Sequence, residues 1–248
     1  MTSITETRSW RFALVGTPNS GKTALFNALT GSRQKVANYP GVTVERKTGI
    51  FQTPSGHRID LVDLPGTYSL RGRSPDEEVT RDMVLGRINT EAQPDLLLCV
   101  ADATNLRVAL RLVTELKRAG RPMLLVLNMI DIARHRGIEI DLERLSAELG
   151  IPVVTSTAVR RGGTEELLRR LDELAANGAG EVGENKWTAP TAADLRAAQR
   201  EADRVIKAAV SEPARPDTLT GRVDAVLLHP VAGLVNLLAV LFVIFQAV

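Results

Sequence analysis

One cysteine in 248 residues, Cys99, excludes an intrachain disulfide and a cysteine-rich metal site. It lies in the apolar run Leu96-Leu97-Leu98-Cys99-Val100 and reads as a buried strand residue. An excess of charge of one sign is missing too: 31 Lys+Arg stand against 29 Asp+Glu, a net charge of +2, and no run of five like charges occurs. That balance gives no footprint for a nucleic-acid partner. No His, Cys, Asp and Glu cluster has metal-ligand spacing, so no side-chain cage for a transition metal is visible. Residues 1–10 are polar and lack the apolar core of a cleavable signal peptide, so the chain is expected to begin as a flexible cytosolic segment.

What is present is a chain with 44% hydrophobic and 24% charged residues, enough for one large core and a small second unit. Apolar stretches at 11–16, 58–63, 95–102, 123–128 and 151–154 read as strands, and 22–30, 76–89, 105–119, 141–149 and 164–176 read as helices. The alternation specifies an α/β fold with a largely parallel sheet and helices on both faces. Residues 43–51 and 57–63 flank the turn Thr53-Pro54-Ser55-Gly56, which predicts an antiparallel hairpin at the sheet edge. After Asn177 the chain turns Gly-rich and resumes as a helix over 192–210, begun by a capping box of Thr191 and Asp194. This divides the chain into a main domain over 11–177 and a small helical domain over 178–224.

Residues 225–248 contain no Asp, Glu, Lys or Arg. A helix needs about 20 apolar residues to cross the hydrocarbon core, so this stretch is expected to be the start of a transmembrane helix, with His229 and Pro230 at the interface. A buried C-terminal helix is the alternative; apolar character on every face does not suit a surface helix.

The chemistry begins at Gly16-Thr17-Pro18-Asn19-Ser20-Gly21-Lys22-Thr23, which matches G-x-x-x-x-G-K-[ST] between a strand and a helix. Such a P-loop closes backbone N–H groups around phosphates at a helix N-terminus; Lys22 reaches the outer phosphates and Thr23 offers a hydroxyl to Mg2+. Asp63-Leu64-Pro65-Gly66 follows a strand, which puts a carboxylate where ligands of open α/β sheets collect. Asp63 is the candidate for a water-mediated Mg2+ contact, and the Gly66 N–H for the γ-phosphate. Ser74, Pro75 and Glu77 start a new helix, leaving residues 67–73 as a flexible loop fit for a nucleotide-sensing switch. At the end of another strand stands Asn128-Met129-Ile130-Asp131. The Asp131 carboxylate can accept the N1–H and N2–H₂ of guanine, a donor pair that adenine lacks. Thr157 and Ala158, or Ser156 in another register, occupy the place of a final base-contacting loop.

This ordered set resembles the Ras-like GTPases of the TrmE-Era-EngA-YihA-Septin-like class. Asn38-Tyr39-Pro40-Gly41-Val42-Thr43-Val44-Glu45-Arg46, Asp63-Leu64-Pro65-Gly66-Thr67-Tyr68-Ser69-Leu70, Met129 in place of the usual Lys, and Val226-Leu227-Leu228-His229-Pro230 narrow the resemblance to FeoB-type ferrous iron transport proteins. That resemblance implies a six-stranded Ras-like GTPase domain, a helical spacer and then a membrane permease. It implies GTP and GDP as ligands, held by Gly16, Asn19, Ser20, Gly21, Lys22, Thr23, Ala24, Gly41, Val42, Thr43, Asp63, Gly66, Asn128, Met129, Asp131, Ser156, Thr157 and Ala158. Mg2+ falls to Thr23, Thr43 and Asp63; Thr48 is the alternative to Thr43 but lies inside a predicted strand. Asn19, Lys22, Thr43 and Gly66 are the expected catalytic set.

Position 67 is Thr where many GTPases carry a water-orienting Gln, and no Arg finger can be assigned in cis, so intrinsic hydrolysis is expected to be slow. The resemblance offers K+, held by Asn19 with the backbone around Asn38 and Tyr39, as a substitute; Asn19 as an ordinary P-loop hydrogen bonder is the competing reading. Three functions stay open on this basis. One is the GTPase of an Fe(II) transporter on the cytoplasmic face of a bacterial inner membrane, with small Feo accessory proteins and an oligomer as implied partners. The others are a soluble K+-dependent GTPase of ribosome or tRNA maturation, and a weakly hydrolysing GTP-binding module.

Overall fold

The sheet grows from apolar segments too short for helices and rich in Leu and Val. Its strands are β1 (Trp10–Gly16), β2 (Gln34–Asn38), β3 (Glu45–Gln52), β4 (Arg58–Asp63), β5 (Leu96–Asp102), β6 (Met123–Asn128) and β8 (Val153–Thr155). They lie in the order β2-β3-β4-β1-β5-β6-β8. β1 runs parallel to both β4 and β5, and β6 parallel to β5 and β8, while β3 is antiparallel to β2 and β4. The computed structural model describes residues 9–31, 34–39, 42–88, 91–211 and 227–247. Expectations for residues 1–8, Pro40, Gly41, Asn89, residues 212–226 and Val248 lie outside the described residues.

The sheet has seven strands where six were expected. The additional one is β2, whose Gln-Lys-Val-Ala-Asn sequence lacks the apolar alternation that marks a strand and whose residues are mostly exposed. It takes the edge beyond β3, so the β3–β4 hairpin forms as expected but sits one strand inward.

Side chains alternate across the strands, and two packed faces result. Phe12 and Leu14 of β1 join Leu61, Leu98 and Val126 beneath α1 (Lys22–Thr30) and α6 (Glu165–Asn177), where Leu25, Phe26, Leu167 and Leu171 are buried. Ala13 and Val15 turn the other way, with Val62, Cys99 and Leu125, toward α2 (Pro75–Val84), α3 (Leu106–Arg118) and α5 (Leu142–Leu149). Cys99 is fully buried, as its apolar run implies. α2 starts where expected, with Ser74 Oγ accepting from the Glu77 N–H and Pro75 at its first position. A short helix, α4 (Ile130–His135), was not foreseen; it begins at Met129, whose φ of 60° starts a turn that periodicity does not reveal.

Past the sheet, α7 (Ala192–Ala209) opens on the expected capping box of Thr191 and Asp194. It buries Ala202, Val205 and Ala209 in the same core as α3 and α5. Arg107–Asp203 at 2.5 Å and Arg204–Glu148 at 2.5 Å flank that contact. Its end continues into β9 (Val210–Ser211), which pairs antiparallel with β7 (Glu139–Ile140) just beyond α4. The apolar tail forms α8 (Ala232–Ala247), headed by His229 Nδ1, which accepts from the Val231 and Ala232 N–H groups at 3.3 Å. Its 16 residues span about 24 Å at about 1.5 Å each, short of the roughly 30 Å hydrocarbon core. The expected transmembrane start is therefore corrected: among the described residues no helix is long and apolar enough to cross a membrane.

Candidate functional site

The site lies where β1, β4 and β6 end. β1 runs into the P-loop, which turns sharply enough to need two left-handed residues, Asn19 at φ 63° and Gly21 at φ 83°. Only glycine serves at the second: a Cβ on Gly21 would stand 2.2 Å from Asn128 Nδ2. α1 starts at once, so its first N–H groups face the loop. Lys22, the first residue of that helix, folds its Nζ back to the carbonyls of Gly16 at 3.2 Å and Thr17 at 3.3 Å. Asn19 and Thr23 are exposed and Ala24 is half-buried beside them.

Asp63 ends β4 next to this loop. Its carboxylate lies beside the Thr23 hydroxyl, which favours its charged form, so two of the three expected Mg2+ ligands come together. Asp63 and Lys22 are both about nine-tenths buried. Desolvation pushes the Asp63 carboxyl above the ordinary carboxylate range and holds Lys22 below the ordinary amine range, although each charge partly relieves the other. Asp63 Oδ1 and Ser20 Oγ are buried and find no hydrogen-bond partner among the described residues. Gly66 crosses the loop at close quarters, since a Cβ there would meet Lys22 Nζ and Pro18 at 3.2 Å. Orphaned oxygens beside a hydroxyl, an ammonium group and helix N–H groups fit a divalent cation held with phosphates.

At the other end of the loop, Asn128 is 2% exposed and bridges two segments. Its Nδ2 donates to Ser20 O at 3.1 Å, and its Oδ1 accepts from the Ala158 N–H at 3.1 Å. Ser156 is turned inward, with its hydroxyl 3.4 Å from Gly163 O, and the Thr157 N–H bonds the same carbonyl at 2.8 Å. Of the three residues whose register was open, Ala158 is therefore the one that Asn128 fixes. Met129 is half-buried, and its Cε is 3.4 Å from where a Gly21 Cβ would be. Asp131 stands in the first turn of α4, ion-paired to Arg160 at 3.0 Å, beside an open cleft of about 630 Å³.

Thr43 and Val42 are exposed in the turn before β3, which is closed by Tyr39 N–H donating to Val44 O and Val42 N–H donating to Tyr39 O. Tyr39 itself is 2% exposed, and burial raises its phenol to about 12. Thr48 lies within β3, opposite Val62 and Lys35.

The loop over residues 67–73, expected to be flexible, is closely bonded. Thr67 is fully buried, with its N–H on Gly16 O at 3.1 Å and its hydroxyl on Ser69 O at 2.6 Å. Leu70 N–H and the Ser69 hydroxyl meet Glu115 of α3, Arg73 N–H meets Glu77, and Arg71 Nη2 reaches Pro190 O. Gly16, Glu115 and Pro190 lie far along the chain, so the loop's own composition could not reveal them. Glu115 had a signal: it falls three residues after Leu112 on the buried stripe of α3.

Against known proteins, the family described as ferrous iron transport protein B matches residues 10–171. The Fe(2+) transporter FeoB of Escherichia coli is 47% identical over 168 residues, covering 66% of this chain and 21% of that protein. The Fe(2+) transporter FeoB of Salmonella typhimurium is 46% identical over the same length and shares. The chain spans about a fifth of the length of these relatives. Among solved structures, the cytosolic domain of T. maritima FeoB in its GMPPNP form is 30% identical with a TM-score of 0.71, covering 82% of this chain and 100% of that one. The cytosolic domain of L. pneumophila FeoB is 31% identical with a TM-score of 0.67, at the same coverage.

Proposed function

The chain belongs to the ferrous iron transport protein B family, and from that premise we propose that residues 11–177 bind GTP with Mg2+ and hydrolyse it to GDP and phosphate. One observation carries the reading. A P-loop, a partly orphaned Asp63 beside Thr23, and an Asn128 strut reaching Ala158 beside Asp131 are gathered at one end of a largely parallel sheet. The relatives solved with GDP and GMPPNP accord with it.

In this reading the N–H groups of residues 19–24 and Lys22 hold the phosphates. Thr23, Thr43 and Asp63 hold Mg2+, and Asp131 with Ala158 reads guanine. Bound Mg2+ supplies neutralisation of the charge that grows on the phosphate oxygens. Lys22 exchanges two carbonyl contacts for a phosphate, which relieves the desolvation that depresses it. Thr67 is buried and engaged with Ser69, so it does not orient water, and turnover is slow. Exposed Asn19, on its left-handed backbone, is the candidate K+ ligand, where a cation would do the work of an arginine finger. The GTPase domain over 11–177 and a helical spacer over 178–224 drive or gate Fe(II) entry through a membrane permease, on the cytoplasmic side of a bacterial inner membrane. α8 meets the bilayer: Leu234, Leu237, Val240, Phe242 and Val243 are all exposed and share no single face.

The test is steady-state phosphate release from Mg·GTP and Mg·ATP, each in K+ and in Na+. GTP-selective turnover stimulated by K+ is the expected result. Equal rates in the two salts remove the role given to Asn19, and comparable ATP turnover removes the one given to Asp131.

A further inference from the structure

Glu115 is a carboxylate in an apolar setting. It is 5% exposed, on a helix whose Leu112, Val113 and Leu116 are fully buried. A leucine would continue that stripe without the cost of taking a polar head out of water. What Glu115 gains is two donors from one short loop: the Ser69 hydroxyl at 3.0 and 2.9 Å from its two oxygens, and the Leu70 N–H at 2.8 Å. The same loop is pinned at its other end by Thr67, whose N–H bonds Gly16 O at the root of the P-loop. Between the pins lies Tyr68, which is 54% exposed, and just before them Gly66, packed against Lys22 Nζ and Pro18. A run of contacts therefore joins the phosphate end of the site to the middle of α3, through Thr67 and Ser69.

We propose that Glu115 is the positioning residue of the phosphate-sensing loop. By holding Ser69 and Leu70 it sets where the Gly66 N–H stands against the terminal phosphate, and so governs hydrolysis and the distinction of GTP from GDP, without touching nucleotide. The inference rests on the GTPase reading above. Its geometry also separates it from the base site, because among the described residues Asn128, Ala158 and Asp131 share no hydrogen bond with the loop. A misplaced backbone donor at the reacting group costs about 10- to 100-fold in rate.

The experiment compares wild type with Glu115→Ala, Glu115→Gln and Ser69→Ala in the whole chain. It reads kcat and KM for GTP, Kd for GDP, and amide exchange of residues 66–73 with GDP and with a non-hydrolysable GTP analogue. Glu115→Ala is expected to lower kcat about 10-fold or more while KM and the GDP Kd stay within about twofold. Glu115→Gln keeps an acceptor for the Leu70 N–H and restores most of the rate. In exchange, wild type should distinguish the two nucleotides at residues 66–73, and Glu115→Ala should not. A folded Glu115→Ala with wild-type kcat, or with kcat and GDP affinity falling together, overturns the proposal. If Glu115→Ala does not fold, Ser69→Ala, which removes only the hydroxyl, is judged by the same criteria. If wild type binds GTP but does not turn it over, the function assigned above fails while the exchange comparison still decides the role of Glu115.

Discussion

Replacing Asn128 with Ala should weaken the protein even when no nucleotide is present. The side chain is 2% exposed and satisfies two backbone groups, Ser20 C=O and Ala158 N–H, each at 3.1 Å. A buried polar group left without its partner costs about 1–3 kcal/mol, and two such groups at about 1.5 kcal/mol each are left here. The sum is about 3 kcal/mol, which for a chain of this size lowers Tm by about 6–12 °C. Asp131→Ala is the control, because its ion pair is with Arg160, which is 69% exposed, and such pairs contribute about 0–1 kcal/mol. Circular-dichroism melting of nucleotide-free protein, followed by calorimetric titration with GDP, separates the two. Asn128→Ala should lose both stability and affinity; Asp131→Ala should melt within about 2 °C of wild type and lose affinity alone. An unchanged melting curve for Asn128→Ala would show that the bridge is not a strut of the loop, and the reasoning would be wrong.

Asp63→Asn should be more stable than wild type at neutral pH without nucleotide, since desolvation raises the Asp63 carboxyl above its value of 3.8 in the unfolded chain. The folded state then binds the extra proton first, so wild type gains on the variant as pH falls from the raised value toward 3.8, and urea unfolding across that window should show the gap closing. A gap that widens with acid refutes the sign. Gly21→Ala places a Cβ 2.2 Å from Asn128 Nδ2 at a φ of 83°, so GDP binding should fall by at least about 100-fold in fluorescence titration, the equivalent of about 2.7 kcal/mol of strain. Cys99 is fully buried, and desolvation raises its thiol to about 12, so a thiol reagent at pH 8 should label it only at the rate of unfolding. Labelling of native protein within seconds would contradict its burial.

How much of this could be read from the sequence depended on whether the cause was local. α1 begins and ends at the expected residues because Gly21 and Gly31 bound it. α2 and α7 start where Ser74 and Thr191 cap them. β2 escaped because a polar edge strand is held by backbone pairing to β3, which leaves no periodic trace. The P-loop residues, Asp63 and Asn128 could be named from motif spacing, and the structure brings them together. That Asn128 spans from Ser20 to Ala158, and that Glu115 restrains Ser69 and Leu70, are contacts between residues far apart in the chain. No window on the sequence contains both partners. The tail was legible as apolar and helical, but its length was overread, since α8 begins only at Ala232, after His229 and Pro230.

The small ribbon of β7 and β9 bears on how the chain carries load. Strand Val210–Ser211 comes before the segment that leads to α8, and among the described residues it pairs with Glu139 and Ile140. A pull on the chain beyond Ser211 would be felt first at this seam, just past the helix that carries Asp131. The ribbon holds two residue pairs, whereas β5 and β6 of the main sheet share six. A pull there therefore meets the seam beside α4 before it meets the main sheet.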